Sequence, residues 1–312
     1  DFWADLFSVF IVRSFDLVKP EGYLGYVTPF VWMFISSYEK LRKQLIDNKT
    51  IVSLVRPSYH AFFESAAVPL CTFVFMNKSV NNADAKYFYL DDLGYTDDQV
   101  PRLMDGINNP DSKRRFVQKQ SNFSKIPGSP IAYWVSERVR SIFKDSQKLG
   151  ELAAPRKGNT TTNNDRFLRL WFETSFIFIA NRYLSVEKAN KDEKYWIPYN
   201  KGGGNKKWFG NNDYVVFWKL NGEAIRNTPG SVVTNEKYYM KSGLTWSTIT
   251  SSNFSMRKFS EGFIFDNGGC CLFETGETEY YFLALLNSRV FSFILGEINP
   301  TLNFQSGEVA KM

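Results

Sequence analysis

The sequence predicts an α/β protein in two parts: a partial doubly wound sheet, of which only the second half is present, followed by an α+β domain. In residues 1–100, runs with helical spacing of apolar residues alternate with short apolar runs typical of strands. Further along, short strand-like runs are separated by long polar loops. We therefore expect a first domain over residues 1–100, a linker over 101–130 and a second domain over 131–312.

The first domain is expected to begin with a helix over residues 3–18. Lys19-Pro-Glu-Gly22 ends it, because proline cannot continue a helix and glycine accepts a left-handed turn. A capping box, Ser36-Ser-Tyr-Glu39, predicts the start of a second helix. The predicted strands are short apolar runs at Tyr23–Thr28, Ile51–Val55, Leu70–Met76 and Lys86–Leu90. A doubly wound sheet opens with a strand and a glycine-rich turn. Both are missing here, so we expect the second half of a mainly parallel sheet, in a piece of a longer protein.

The remaining elements are predicted in the same way. Residues 91–130 are polar and rich in Asp, Asn, Ser, Gly and Pro, as is typical of a linker. An amphipathic helix is expected over Pro130–Lys148 and a closing helix over Glu279–Leu295. The strands predicted between them are Phe176–Ala180, Tyr214–Trp218, Phe263–Phe265 and Cys271–Phe273. We expect the aromatic side chains of this part to lie in its core, namely Tyr195, Trp196, Trp208, Phe209 and Trp218.

Composition favours a globular protein, because 44% of the residues are hydrophobic and 22% are charged. The sequence contains no run of 18 apolar residues, so no membrane span is predicted. Three cysteines give no disulfide framework, and a single histidine without a Cys-x-x-Cys pair makes a metal site unexpected. We therefore expect a protein of the reducing cytoplasm.

Positive charge is concentrated in the second part of the chain. Residues 1–100 contain 9 Lys and Arg against 12 Asp and Glu, whereas residues 101–312 contain 29 against 20. The second part therefore carries a net charge of +9, which suits a polyanionic partner. A merely soluble basic surface would give the same count.

The first hundred residues resemble the catalytic domain of the N6-adenine DNA methyltransferases. The resemblance rests on an ordered series of four stretches: Asp5–Phe10, Leu17–Pro29, Ser37–Arg42 and Phe63–Phe75. It implies S-adenosylmethionine as cofactor, bordered by Asp5, Leu6, Phe7 and Phe10. It also implies that Phe75 stacks on a target adenine extruded from the duplex, with Phe73 on the same face as the rival residue.

Two parts of that family's machinery are missing from the sequence. The catalytic tetrapeptide Asn/Asp-Pro-Pro-Tyr/Phe, which holds the adenine amino group, does not occur. The glycine-rich cofactor loop is also missing, and Gly202-Gly-Gly204 follows no clear strand. We therefore expect these 312 residues alone not to catalyse methyl transfer.

The second domain resembles the target-recognition domain of the BREX phage-defence adenine methyltransferases (PglX), which are similar to type IIG restriction–modification enzymes. Phrases rich in tryptophan and glycine carry the resemblance, among them Trp196–Gly203, Lys207–Asn211, Gly243–Trp246 and Asn299–Gln305. It implies double-stranded DNA as partner, beside other phage-defence proteins. Cations on loops meet phosphates, and the candidate DNA contacts are Arg156, Lys157, Lys201, Lys206, Lys207, Arg257 and Lys258.

Two other interpretations remain open at this point. The chain could be a separate DNA specificity subunit that works with a catalytic partner, although the exposed edge of half a sheet argues against it. It could also be part of a restriction nuclease, but we find no convincing Pro-Asp…Asp/Glu-x-Lys constellation in a strand.

Overall fold

The computed structural model describes residues 5–58, 69–90 and 98–312 and has a mixed α/β fold. The chain forms two compact units. Unit 1 comprises Asp1–Ser146 and Glu297–Thr301, and unit 2 comprises Gln147–Gly296 and Leu302–Met312. Buried apolar side chains form a core in each unit.

Unit 1 places one five-stranded sheet beside four helices. The helices are α1 (Leu6–Leu17), α2 (Glu39–Asn48), α3 (Gln99–Asn108) and α4 (Glu137–Asp145). The strands are β1 (Tyr23–Pro29), β2 (Thr50–Arg56), β3 (Leu70–Met76), β4 (Asp84–Tyr89) and β5 (Arg115–Lys119). Short 3₁₀ turns lie at Phe30–Met33, Ser36–Tyr38 and Gln120–Lys125.

The sheet of unit 1 has the order β1-β3-β2-β4-β5 and is mostly antiparallel. Only the β2–β4 pair is parallel, so the prediction of a mainly parallel sheet is wrong for the described strands. β3 is antiparallel to both β1 and β2, which therefore run in the same direction and are joined by a crossover that contains α2. An apolar run identifies a strand but does not specify the direction of the neighbouring strand. The strand directions were therefore predicted wrongly.

The predicted capping box of α2 is also wrong. Ser36–Tyr38 forms a 3₁₀ turn, and the α-helix begins only at Glu39, with Tyr38 at its N-cap and no side-chain hydrogen bond there. The apolar positions were predicted correctly, since Leu41, Leu45 and Ile46 are buried. The tighter turn takes the place of the side-chain cap.

The predicted linker is largely an integral part of unit 1. β5 pairs with β4, and Gln120 donates to the carbonyls of Ile46 and Lys49. The buried guanidinium of Arg42 donates from Nε and Nη2 to the Gly128 carbonyl. The boundary between the units therefore lies at residues 146/147, not within 101–130. The helix expected over 130–148 is limited to α4.

Unit 2 is built from short elements. Its helices are α5 (Leu149–Leu152), α6 (Asn164–Phe167), α7 (Val186–Lys191), α8 (Lys219–Arg226), α9 (Glu279–Leu286), α10 (Arg289–Ile298) and α11 (Ser306–Val309). Its strands are β6 (Ala154–Arg156), β7 (Leu168–Leu170), β8 (Trp196–Asn200), β9 (Tyr214–Phe217), β10 (Gly243–Trp246), β11 (Met256–Phe259), β12 (Ile264–Phe265) and β13 (Cys271–Phe273).

Two four-stranded sheets order these strands as β11-β10-β13-β6 and β12-β8-β9-β7. The first sheet lies between two hydrophobic clusters. Leu244, Trp246 and Leu272 belong to one cluster, whereas Phe259 and Cys271 belong to the other. The sheet is therefore buried on both faces.

Residues 149–150 and 310–312 meet in unit 2 through their backbones. The Leu149 amide donates to the Met312 carbonyl at 2.6 Å, and the Gly150 amide donates to the Ala310 carbonyl at 2.9 Å. Because these bonds involve only main-chain atoms, they hold the two segments side by side whatever side chains they carry.

Two predicted elements of unit 2 differ in the structure. Phe176–Phe178 is a 3₁₀ turn rather than a strand. The single closing helix is two helices, α9 and α10, which meet at an angle of 73°. The break is fixed by the buried side chain of Asn287, whose amide donates to the carbonyls of Met256 and Leu283. In the described ranges no single helix has the length and apolarity to cross a membrane, although this bent pair meets both criteria jointly.

Candidate functional site

The residues predicted to border a cofactor lie at the start of α1. The Asp5 side chain caps the helix by accepting from the Leu6 amide at 2.6 Å. Phe7 is half-buried and packs against Tyr38, with 5.3 Å between ring centroids. Leu6 and Phe10 are exposed, Phe10 to 54%. The structure thus brings these four residues to one end of a helix, where two of them offer open apolar surface.

Phe73 and Phe75, predicted to stack on a base, lie in the core of unit 1. Phe75 is fully buried and Phe73 is 2% exposed. Their rings are 5.2 Å apart, and both pack against Trp32. Phe15 of α1 meets the edge of Phe75 at 6.1 Å. In this position neither ring offers a face to a ligand, because aromatic neighbours already cover them. The matched stretch from Phe63 to Val68 lies outside the described residues.

The seven predicted DNA contacts of unit 2 differ in their exposure and in their partners. Lys157 and Lys206 are exposed, and their ammonium groups have no carboxylate partner among the described residues. The Lys207 ammonium donates to the Asn287 carbonyl, and Lys258 forms an ion pair with Glu279 at 2.6 Å. Lysines without carboxylate partners remain available to an outside anion, whereas a paired lysine is largely neutralised.

Arg156 and Arg257 are engaged within unit 2. The Arg156 guanidinium lies over the ring of Tyr238 at 5.5 Å. Arg257 is 1% exposed, and burial lowers the pKa of its guanidinium. Its Nη2 donates to the Ser247 hydroxyl at 3.3 Å, and that hydroxyl donates to the Gly203 carbonyl. Arg257 is therefore linked through Ser247 to the glycine loop. Because it is buried, it is, contrary to prediction, not placed to contact a phosphate.

Lys201, one of the predicted DNA contacts, lines a polar cleft of about 190 Å³ in unit 2. Residues 159–164 form one wall, and Lys201 faces them together with the turn at Asp266–Gly268. Lys201 lies 3.5 Å from the Asp266 carboxylate, which also accepts from the Tyr199 hydroxyl at 2.9 Å. Burial, followed by the Asp266 charge, raises the pKa of Tyr199 well above its usual value, so its hydroxyl stays protonated. The residues that line the cleft thus include both hydrogen-bond donors and hydrogen-bond acceptors.

Asn159 fixes the cleft loop to the core. Its side chain is fully buried, and its oxygen accepts from the Tyr239 hydroxyl at 2.6 Å and from the Thr234 amide at 3.0 Å. The side-chain nitrogen has no partner within the described part of the chain. Buried amides are normally satisfied. The Asn159 nitrogen thus carries two N–H donors without a partner among the described residues, but the atom is buried and is not exposed to the cleft.

The triple glycine lies beside this cleft. A Cβ on Gly202 would come within 2.2 Å of the Gly268 carbonyl oxygen, so only glycine permits this contact between two backbones. Glycine is not required for space at Gly204, where a Cβ would meet no atom within 4 Å. The loop thus packs tightly at its first glycine and opens to solvent two residues later.

Some residues of the site were missed or misplaced by the sequence analysis. Trp208 and Phe209 were expected in the core, but they are 54% and 67% exposed. The Asp266-Asn-Gly-Gly269 turn was not recognised, although a glycine pair after a polar pair is a clear turn signal. Tyr195, Trp196 and Trp218 are not exposed to the same degree, and Trp218 is fully buried as predicted.

Comparison with known proteins gives the same family as the sequence motifs. Residues 2–63 match the family model of the Eco57I restriction-modification methylase. Over 99% of its length, the chain is 35% identical to the adenine-specific methyltransferase PglX of Lacticaseibacillus casei (strain Zhang). It is 33% identical, again over 99% of its length, to the adenine-specific methyltransferase BrxX of Escherichia coli O9:H4 (strain HS). The chain spans 26% and 25% of these two proteins.

The fold is also similar to that of a solved structure. A nuclease-deletion mutant of the Type ISP restriction-modification enzyme LlaGI, in complex with a DNA substrate mimic, matches 98% of this chain and 30% of its own, with a TM-score of 0.57. The identity of 11% limits this similarity to the fold. By sequence, the chain therefore belongs to the PglX and BrxX family of adenine-specific methyltransferases, and it spans about a quarter of their length.

Proposed function

We propose that this chain is part of a DNA methyltransferase of a BREX or restriction–modification system. The whole protein transfers a methyl group from S-adenosylmethionine to N6 of an adenine that is extruded from duplex DNA. The observation that carries the proposal is the 35% identity to PglX along 99% of the chain. The catalytic tetrapeptide does not occur in these 312 residues, so in this proposal it is supplied from outside them.

Unit 1 would contribute to the cofactor site. S-adenosylmethionine brings the methyl group and an adenine ring that needs an apolar surface. Leu6 and Phe10 present such a surface, and Asp5 and Phe7 stand beside it at the start of α1. Phe73 and Phe75 have a supporting role in this proposal, because a base could reach them only if their aromatic cluster opened.

Unit 2 would bind the DNA and read its sequence. It contains 20 Lys and Arg against 15 Asp and Glu, whereas unit 1 contains 18 against 17. Lys157 and Lys206 are available for phosphates. The cleft lined by residues 159–164 offers amide and hydroxyl groups, which can form hydrogen bonds to base edges.

The test is DNA binding by the whole 312-residue chain, measured by fluorescence anisotropy with a labelled duplex across a salt series. Each phosphate contact that is removed should lower the slope of log affinity against log salt by about 0.9. We expect that loss for Lys157→Ala and for Lys206→Ala. Lys258→Ala is the matched control, because Glu279 already pairs with that ammonium group.

Affinity that is high at low salt and falls steeply as salt rises supports a DNA-reading unit 2. The proposal is contradicted if the chain fails to bind at low salt, or if Lys258→Ala changes the slope as much as the two exposed variants do.

A further inference from the structure

The loop between β8 and β9 carries two exposed aromatic residues at successive positions. Trp208 is 54% exposed and Phe209 is 67% exposed. Other tryptophans of unit 2, Trp218 and Trp246, are fully buried. Exposing such rings forfeits about 25 cal/mol for each Å² of apolar surface that remains in water. Among the described residues, neither ring stacks on another aromatic ring.

The exposed pair is held in place by the backbone. The Trp208 amide donates to the Met256 carbonyl at 3.0 Å, and the Trp208 carbonyl accepts from the Lys258 amide at 2.8 Å. Both bonds attach the loop to the outer edge of β11. Below the loop, Ser247 donates to the Gly203 carbonyl at 2.7 Å. The backbone that carries Trp208 is therefore held in place by hydrogen bonds to β11.

Trp208 occupies a backbone conformation that suits glycine. Its φ is +75°, in the left-handed region where a bulky side chain costs about 1–3 kcal/mol. The same loop uses glycine at positions 202–204 and 210. A glycine at 208 would remove the strain. A tryptophan there makes sense if its ring contributes something that offsets the strain, and its exposure points to a partner outside these 312 residues.

The surroundings of the pair are cationic. Lys206 and Lys207 directly precede the rings, and residues 201–212 include no acidic residue. Another exposed aromatic pair of unit 2, Trp171 and Phe172, is followed instead by Glu173. A flat apolar face flanked by positive charge complements a polyanion that carries aromatic faces, which describes nucleic acid better than an apolar protein groove.

We propose that Trp208 and Phe209 form an aromatic wedge that stacks on DNA bases where the duplex is opened, with Lys206 on the adjoining phosphates. The inference rests on the proposed function, because it requires that unit 2 binds DNA. It adds a mode of contact to that function: stacking on an unstacked or unpaired base, beside hydrogen bonds in the polar cleft.

The experiment compares two labelled duplexes that differ only in one unpaired base, with the intact 312-residue chain. Affinity is measured by anisotropy, and stacking by the quenching of 2-aminopurine placed at the unpaired position. Trp208→Ala should weaken binding to the opened duplex about tenfold and abolish the quenching, with a smaller change for the paired duplex. Trp208→Phe, which keeps an aromatic face, should restore most of both signals.

Trp171→Ala is the matched control, because it removes an equally exposed tryptophan of the same unit. It should change neither signal. The inference is overturned if Trp208→Ala binds both duplexes like the parent chain, if the parent chain leaves 2-aminopurine unquenched, or if Trp171→Ala causes the same loss. A parent chain that binds neither duplex refutes the proposed function itself. Binding without any effect at Trp208 refutes only the wedge and would leave a protein as the partner of these rings.

Discussion

Phe10 and Phe75 are the same residue type in the same unit, but their surroundings give them different roles. Phe10 projects from α1 and keeps more than half of its surface in solvent. Phe75 is enclosed by the rings of Phe15, Trp32 and Phe73. The first can contribute to binding at small cost to folding, whereas the second contributes to the stability of the sheet.

This difference in burial predicts that replacing phenylalanine by alanine has different effects at positions 75 and 10. Phe75→Ala removes a fully buried ring and leaves a cavity, so the free energy of unfolding should fall by about 3–5 kcal/mol. Phe10→Ala removes an exposed ring and should change the same free energy by less than about 1 kcal/mol. Urea denaturation followed by circular dichroism measures both. Equal losses for the two variants would mean that Phe75 is not a core residue.

At the level of single residues, the sequence could not tell buried aromatic residues from exposed ones. Phe73, Phe75, Trp208 and Phe209 all stand in aromatic phrases, and hydrophobicity alone assigns all of them to a core. Exposure of Trp208 depends on the left-handed turn and on the hydrogen bonds to β11, which join residues about fifty positions apart. A contact over that distance along the chain is not encoded in a local pattern.

At the level of elements, the triple glycine shows that a loop can require glycine at one position and not at a position close by. Gly202 is needed because its φ is +89° and its α-carbon lies against the Gly268 carbonyl. Gly204 has open space around its α-carbon. The close approach at Gly202 joins the loop that carries Lys201 and Lys206 to the turn that completes the polar cleft.

Gly202→Ala should therefore destabilise unit 2 by about 1–3 kcal/mol, because the new methyl group must displace backbone atoms and the residue must keep a left-handed φ. Gly204→Ala, two residues away, should be close to neutral. Thermal denaturation of the two variants makes the comparison. A stable Gly202→Ala variant with an unchanged melting temperature would rule out the close backbone contact.

Two strands were predicted with their exact bounds, whereas β5, β6, β7, β8, β10 and β11 were not predicted. Leu70–Met76 and Cys271–Phe273 have the predicted bounds, because an apolar run flanked by polar residues fits a strand of matching length. The prediction failed where a tertiary contact decides the structure. Asn287 interrupts an otherwise continuous helical pattern by bonding to β11, and Gln120 and Arg42 tie a polar stretch into unit 1.

At the level of the whole molecule, each unit encloses cysteine within its own core. Cys71 lies in the sheet of unit 1, and Cys270 and Cys271 lie in unit 2, all three buried and free. Burial raises the pKa of the Cys71 thiol to about 12, and it also raises the pKa of the Cys270 and Cys271 thiols. A thiol must ionise to react, so the folded chain should protect all three.

We therefore expect iodoacetamide to label none of the three thiols at pH 8 in the folded chain, and all three after denaturation. Raising the pH to about 9 should not speed the labelling of Cys71, since its thiol remains protonated well above that pH. Mass spectrometry of the digested protein identifies each site. Native labelling of Cys71 at the rate of a free thiol would mean that the core of unit 1 opens readily.

The main-chain bonds between residues 149–150 and 310–312 have a consequence for how such proteins diversify. These bonds hold the two ends of residues 150–310 next to each other through main-chain atoms alone. That segment contains the polar cleft and the exposed aromatic pair Trp208 and Phe209. The chain segment between these points therefore starts and finishes at one place in unit 2, although its residues 297–301 belong to unit 1. We expect a segment exchanged between relatives at these two points to keep its ends adjacent, and to be accommodated only if it also supplies residues that fit unit 1 at 297–301.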